Sequence, residues 1–561
     1  MPFPYQFEFA FEPVAEKPTI QVRIAFASDP FDASPSWTDV SSDVLEFHTS
    51  RGREYELDRM EVGTLELVLD NASGDYYPEN TGGSYTPNVR TMKRVNVRGS
   101  FDAGVSYFDL YTGYVESWTP NWRGVGGNAP VMTVRCADGT KTLARLLLND
   151  AGEAQELSGT RVGNILDTLG WDATARTIST GDTTIIASGA FANQNALEHL
   201  HQVMESELGA LYVGADGYMV FEDRSRRTES PYDTAQCIFG DSSGEDKYRF
   251  VDFALDEFLL FNDVRATRSG GVEQVGSNAS SKTAYGTRSL NRSGLLLTND
   301  QVVLSYVTLL VARYGDVTKS RVKFLHIIPA RDPANLLPKV LGYDLSTRIG
   351  VKLSDAGIDD EYYIEGIRHD WDARTGILET FYQLSEASRQ YFTPDPIEEI
   401  LRPNAAGDVT QLTPFPNGGE ANWEDVDDVT PDEDATYVTQ GGDSQDKYDL
   451  YNISNPSNPV GTINSVTVYM RARKTNVSAL HGYIKLKTNG TLYEGDLESF
   501  TQSYDDYSKE YALNPNTIAA WQWSELNDLQ IGFRGLSDAP AFNNETRCTQ
   551  VYAVVNYTPS W

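Results

Sequence analysis

The sequence predicts a mainly β, multidomain fold. Short runs that alternate apolar with polar residues recur along most of the chain, rich in β-branched and aromatic side chains and closed by Gly, Pro, Asn or Asp. Helical periodicity is confined to three stretches. At 561 residues the chain exceeds what one hydrophobic core supports, so several domains are expected.

From Thr19 to Cys136 the runs TIQVRIAF, GTLELVLD, RVNVRG, FDLYTGYV and VMTVRC predict an antiparallel barrel or sandwich, assigned to residues 1–144. Leu65, Leu67 and Leu69 fall on one strand face, with Glu66 and Val68 on the other. The loop Asp70 to Asn80 then gathers turn formers.

A small α+β domain is expected over 145–235. Val162, Ile165, Leu166 and Leu169 recur at helical spacing before Gly170. Asn195 followed by Glu198 resembles a capping box and opens a second helix, whose stripe of Leu197, Leu200, Val203, Met204 and Leu208 ends at Gly209. LYVGADGYMVFEDR reads as a hairpin turning at Asp216-Gly217.

Residues 236–393 return to β character and predict a second barrel or sandwich with one helix. Val303, Val307, Leu310 and Tyr314 form the helical stripe, capped by Asn299-Asp300 and ended by Gly315. YYIEGIRHDWDARTGILETFYQL reads as two long strands joined between Asp372 and Gly376. The Pro-, Gly- and Asn-rich stretch 394–420 reads as a linker, and the alternating runs of 421–561 predict a C-terminal β-sandwich.

Composition narrows the function classes. A 40% hydrophobic fraction with 31 Tyr, 23 Phe and 9 Trp argues against wholesale disorder. The 80 acidic against 46 basic residues give a net charge of -34, the wrong sign for gripping phosphate backbones or anionic lipid. The excess reads first as a solvated surface that keeps the chain in solution; only if the protein lined a conduit for DNA would the acidic wall repel the duplex and let it slide. Cys136, Cys237 and Cys548 are far apart without a CxxC, so they read as buried apolar residues and not as a disulfide or zinc framework. The opening MPFPYQFEFAFEP lacks the basic start of a signal peptide, and no apolar run reaches bilayer length, so cytoplasmic synthesis without a stable membrane span is expected.

Site motifs are missing. There is no HExxH, GxSxG, Walker A or strand-to-helix GxGxxG. His199 and His201 project to different helix faces and cannot share a metal. Asp425, Asp427, Asp428, Asp432, Glu433 and Asp434 lack EF-hand spacing and read as a solvated run. No catalytic residue, cofactor or metal is implied. The one candidate ligand-binding set is aromatic: Trp521 and Trp523 at period two on one strand face, beside Tyr504, Tyr507 and Tyr511, which could stack on sugar rings or simply fill a core.

Three passages carry a resemblance. VSSDVLEFHTSRGREYELDRMEVGTLELVLDNASGDYYPEN resembles the opening of siphophage tail-tip hub and minor tail proteins, with a basic Gly-containing turn and a loop built from Leu69, Asn71, Gly74, Tyr76, Tyr77 and Pro78. ALEHLHQVMESELGALYVGADGYMVFEDR is similar to that family's helix and hairpin at Glu207, Gly209, Phe221 and Arg224. WEDVDD through VVNY resembles a β-sandwich module found at the ends of phage structural proteins.

The resemblance implies a structural virion protein at the tail tip: two tube-like barrels per chain, a homotrimer that adapts a six-fold tail tube to three-fold symmetry, and closure of the tube until viral DNA passes. It implies a distal tail protein ring, the tape-measure protein and the tail tube as partners, and a host receptor or surface glycan as a possible target of the last domain. The competing readings are a receptor- or glycan-binding tail protein and a tail-associated cell-wall hydrolase.

Overall fold

The computed structural model describes residues 17–121, 130–255, 257–316, 320–387, 397–416, 421–441, 447–456, 461–476, 480–537 and 544–558. The chain divides into two compact units, Met1–Phe392 and Thr393–Trp561, and is mainly β. The opening segment MPFPYQFEFAFEP lies outside the described residues.

The first unit is organised by one 13-stranded sheet. Its N-terminal half runs through Val44–Gly52, Glu61–Asp70, Val131–Ala137, Phe108–Asn121, Arg94–Ser100 and Thr19–Ile24, antiparallel throughout. The leucines at period two are buried, as one-sided strands require: Leu65, Leu67 and Leu69 all enter the core. The other half contains Phe250–Ala254, Arg321–Ile327, Ile377–Glu386 and Ile358–Asp372, with Arg348–Leu353 and Ile238–Gly240 off its path.

The sequence reads these halves as separate β domains, yet they share hydrogen bonds. Ile358–Asp372 pairs antiparallel with Val44–Gly52, from Gly366 opposite Gly52 to Asp372 opposite Glu46. Before its bulge the same strand pairs with Arg348–Leu353, and from Tyr362 to Asp372 it pairs with Ile377–Glu386. Non-local pairing of this kind leaves no mark in either strand's own periodicity, because period two fixes a face and not a partner.

The α+β region keeps its own core. Ser158–Thr168 and Ala196–Glu207 form helices, and Ala210–Val213 and Met219–Glu222 form the hairpin, with Gly217 at positive φ in the turn. Asn195 caps the second helix by accepting from the Glu198 amide at 3.0 Å. Its stripe, Leu200 and Val203, packs with Val162, Ile165 and Phe221.

Residues 263–314 depart from the expected second tube-like domain. Asp263–Arg268, Gln274–Ser277 and Ser289–Leu295 make a separate three-stranded sheet, covered by the predicted helix at Asp300–Tyr314. Asn299 caps that helix through the Val302 amide, and Val303, Val307, Leu310 and Tyr314 are buried. A further helix, Pro333–Gly342, has no counterpart in the sequence reading. Pro333 suits its first turn and Leu336, Leu337, Val340 and Leu341 form its buried stripe, but Pro338 inside it obscures the pattern.

The second unit is a sandwich of two six-stranded sheets. The stretch read as a linker contributes strands: Ile397–Leu401 pairs with Glu545–Thr558, Pro403–Thr410 with Lys447–Ile453, and Thr413–Phe415 with Tyr437–Gly441. Its Pro and Gly content misleads because edge strands tolerate both. Asp449 fastens the following loop, accepting from the Leu412 amide at 2.8 Å and from Asn422 Nδ2 at 2.6 Å.

Candidate functional site: a buried charge junction

The point where the two halves of the large sheet meet is polar and buried. Glu365 lies in the bulge between Ile364 and Gly366, where its strand exchanges one neighbour for another. A carboxylate this deep needs charged partners. Arg53 Nε donates to Oε2 at 2.7 Å, Arg227 Nη1 donates to Oε1, and Ser385 Oγ donates to Oε1 at 2.5 Å. Burial alone would push the Glu365 carboxyl up; the Arg227 and Arg53 guanidiniums overturn this and hold it well below the usual carboxylate range.

Each arginine comes from a different part of the unit. Arg53 follows Gly52, whose backbone sits at φ +99 against the Glu365 carbonyl, so close that a Cβ there would overlap that oxygen. The Arg53 amide donates to the same carbonyl at 2.8 Å. Arg227 comes from the short turn after the α+β hairpin and lies over the Tyr363 ring at 4.7 Å. Its Nε donates to Ser346 Oγ at 3.2 Å, and Ser346 Oγ donates to Glu222. Tyr212 completes the chain by donating to Glu222 at 3.0 Å. Burial raises the Glu222 carboxyl, against the opposing effect of Arg227.

The turn after Arg53 reaches outward from this centre. Arg59 pairs with Glu205 at 2.8 Å and Glu198 at 3.1 Å on the second helix, Arg292 donates to the Leu57 carbonyl at 2.8 Å, and Tyr55 stacks on Phe258 at 4.0 Å. Beneath it lies a small cavity of about 80 Å³ lined by Glu56, Arg53, Arg292, Tyr306 and Met204. Burial pushes the Glu56 carboxyl up to about 7, with Glu365 adding to the shift and Arg321 and Arg53 opposing it. One turn therefore touches the long-strand bulge, a helix and the smaller three-stranded sheet. Chemically the centre is a clamp: Arg53 and Arg227 offset the buried charge of Glu365, which fixes the geometry where the strands meet.

The residues quoted for the resemblance also have physical roles. Asn71 Oδ1 accepts from the Tyr76 amide at 3.0 Å, and the fully buried Tyr76 donates to Asp43 at 2.6 Å, closing the loop onto the sheet. Glu207 is buried and accepts from Ser158 Oγ at 2.6 Å and the Thr183 amide at 2.8 Å, with Arg224 Nε 3.9 Å away. Gly209 sits where a Cβ would press on the Glu222 carbonyl, and Phe221 is in the core.

The aromatic set in the last unit is dispersed. Trp521 is 3% exposed, packs in the sandwich core and donates to the Tyr511 carbonyl at 2.9 Å. Trp523 opens the short helix Trp523–Leu526, donates to the Gly461 carbonyl at 2.7 Å and meets Tyr557 edge-on. The two indoles do not share a strand face, because the chain turns into a helix between them. Tyr504 donates to Asp434 at 3.1 Å, and the half-buried Tyr507 meets Phe500 edge-on at 5.3 Å.

The other sequence candidates are likewise tied into structure. Asp425 is buried, Glu433 pairs with Arg471 at 2.6 Å, and Asp434 pairs with Arg473 and Arg547 at 2.8 and 2.9 Å, so the acidic run is anchored more than it is solvated. His199 is buried beside Phe191, which lowers its pKa to about 4 through burial and then Arg161; His201 lies by Arg59. All three cysteines are buried and free. Among the described residues no group of three or more His, Cys, Asp or Glu is placed to hold a metal ion, and no helix is long and apolar enough to cross a membrane.

The clamp residues Arg227, Glu222, Ser346 and Glu365 carry no site motif that sequence reasoning detects. A signal for one exists: Glu365-Gly366 interrupts the apolar run YYIEGI, which marks a bulge.

No family model matches the chain, and no curated protein matches it. Solved structures do. The tail protein from Neisseria meningitidis MC58 is similar with a TM-score of 0.43 at 11% identity, over 67% of this chain and 98% of that one. The prophage MuSo2 43 kDa tail protein from Shewanella oneidensis gives a TM-score of 0.43 at 12% identity, over 66% and 99%. The E. coli c3393 protein, a component of the type VI secretion system, gives 0.35 at 11% identity, over 66% and 84%.

Proposed function

We propose that this chain is a structural protein of a virus particle, the hub at the tip of a long-tailed bacteriophage tail, and that it acts by assembly and not by catalysis. The observation that carries the reading is the continuous sheet. Two β regions from opposite ends of the first unit join edge to edge through Val44–Gly52 and Ile358–Asp372, and Glu365 locks them with Arg53 and Arg227. Two β bodies held at a fixed spacing are what three copies need to make a ring of six.

In that role three copies match a six-fold tail tube, present three-fold symmetry below it, and close the tube until DNA passes. The tail tube, the distal tail protein ring and the tape-measure protein are the partners. The net charge of -34 favours a conduit that does not hold the duplex.

Light scattering on the purified protein tests the assembly. Three chains of 62.3 kDa give about 187 kDa. Cryo-microscopy of particles then tests the location: density for this chain directly beneath the tail tube supports the hub, whereas a peripheral position together with a monomeric mass overturns it.

A further inference from the structure

The turn 53–60 covers a small cavity with a carboxyl that has no cation of its own. Glu56 lines that cavity, is 9% exposed, and has neither an ion pair nor a hydrogen-bond partner for Oε2 among the described residues. Polar atoms buried this deeply are nearly always satisfied, and a carboxylate left unpaired there is costly. The neutral carboxyl is the form such a site tolerates, and burial pushes the Glu56 pKa up to about 7.

The charges that face Glu56 are engaged elsewhere. Within the turn, Arg53 donates to Glu365 and to the Asp58 carbonyl, and Arg59 pairs with Glu198 and Glu205. The second helix adds His201, beside Arg59. The hairpin and the turn after it add Glu222, Asp223, Arg224 and Arg227; Arg224 lies 3.7 Å from Asp182, and Arg227 donates to Glu365. From the smaller sheet and its helix come Arg292, which donates to the Leu57 carbonyl at 2.8 Å, and the phenols of Tyr306 and Tyr314. From the long sheet, Arg321 lies over the Tyr55 ring at 5.2 Å.

The turn itself is lightly held. Its base is fixed where the Arg53 amide meets the Glu365 carbonyl and where Met60 enters the core. Its middle rests on Arg292 and on the Tyr55–Phe258 stack, while Glu54, Asp58 and Arg59 are exposed. Segments with few buried contacts open at much lower cost than the fold as a whole. We propose that this turn is a proton-operated latch: it lies over the cavity while the Glu56 carboxyl keeps its proton, and swings outward to hydrate the carboxylate once the proton passes to solvent. Opening parts Leu57 from Arg292 and Tyr55 from Phe258, so it loosens the hold of the smaller sheet on the long one.

Hydrogen–deuterium exchange of the full chain tests the latch, read by mass spectrometry from about pH 5 to 8 and corrected for the intrinsic exchange rate. In the wild type, protection of the 54–60 amides is expected to fall at least about tenfold over that range and to level off above about pH 7, while the strand Glu61–Asp70 stays protected. Glu56→Gln has no proton to lose and should keep the turn closed throughout, with an unchanged far-UV circular dichroism spectrum. His201→Asn removes the histidine of the cavity wall and should leave the wild-type pH dependence in place. Wild-type protection that does not change with pH would overturn the proposal, as would Glu56→Gln retaining the dependence or His201→Asn losing it. Loss of protection in Glu61–Asp70 together with the turn would mean unfolding of the sheet, and would overturn it too.

Discussion

Arg53 reaches Glu365 across 312 residues of sequence, with Nε 2.7 Å from Oε2, at the bulge where the strand Ile358–Asp372 takes Val44–Gly52 as its neighbour. Arg227 approaches the other carboxylate oxygen. A single acid thus holds cations from two separate stretches of chain.

Removing that acid should be costly. Glu365→Gln leaves Arg53 and Arg227 buried without the carboxylate that both face, and breaking a buried pair in this way costs about 3–5 kcal/mol. Urea unfolding followed by circular dichroism checks it. A loss under about 1 kcal/mol would mean that water or side-chain rearrangement replaces the clamp.

Gly52→Ala should destabilise independently of charge. The backbone there has φ +99, and a Cβ would overlap the Glu365 carbonyl and crowd the Gly366 Cα. The expected loss is at least about 1 kcal/mol from backbone strain, before any separation of the strands. A midpoint equal to wild type would show that the two strands do not approach this closely.

Glu56 makes stability depend on pH in a defined direction. Its carboxyl is raised from 4.5 to about 7 by burial, so the folded chain binds more protons than the unfolded chain between these values. Its stabilising contribution is complete below about pH 4.5 and is lost as pH rises through about 7. Asp138, raised by burial to about 6, acts in the same direction lower in the range. Urea midpoints from about pH 5 to 8 should therefore slope less in Glu56→Gln than in wild type. Parallel curves would place the titration elsewhere.

Trp521 should behave as a core residue. Trp521→Ala is expected to cost about 3–5 kcal/mol in the terminal unit. Soluble host glycans should leave the wild-type tryptophan fluorescence unchanged. A saturable spectral shift on adding glycan would restore the binding role for this residue.

Tyr76→Phe tests the loop closure. It removes the hydroxyl that donates to Asp43 at 2.6 Å and retains the ring in the core. A hydrogen bond to a charged group contributes about 1.5–3 kcal/mol, and thermal unfolding should show a loss of that order. Equal melting temperatures would indicate that Asp43 is satisfied by solvent instead.

Local elements were legible where local physics decides them. Asn195 and Asn299 cap their helices as their positions demand, and the leucines of GTLELVLD point inward because alternation fixes a face. Pro338 hid the helix Pro333–Gly342, and the Pro- and Gly-rich 394–420 stretch concealed strands whose partners lie as far away as Tyr557. Trp521 and Trp523 matched a strand face only on paper, since Glu525 and Gln522 cap a helix that starts between them.

By itself the sequence determined the mainly β class, the positions of three helices, the acidic charge and the burial of the three cysteines. Each follows from composition or from a period within a short stretch of chain. Tertiary structure alone decided that two β regions share one sheet, that Glu365 rather than any other carboxylate receives Arg53 and Arg227, and that Phe250 and Phe253 are exposed on a strand that ends that sheet among the described residues. The physical reason is that strand alternation specifies which side of a sheet is buried but says nothing about which strand, hundreds of residues away, supplies the neighbouring hydrogen bonds.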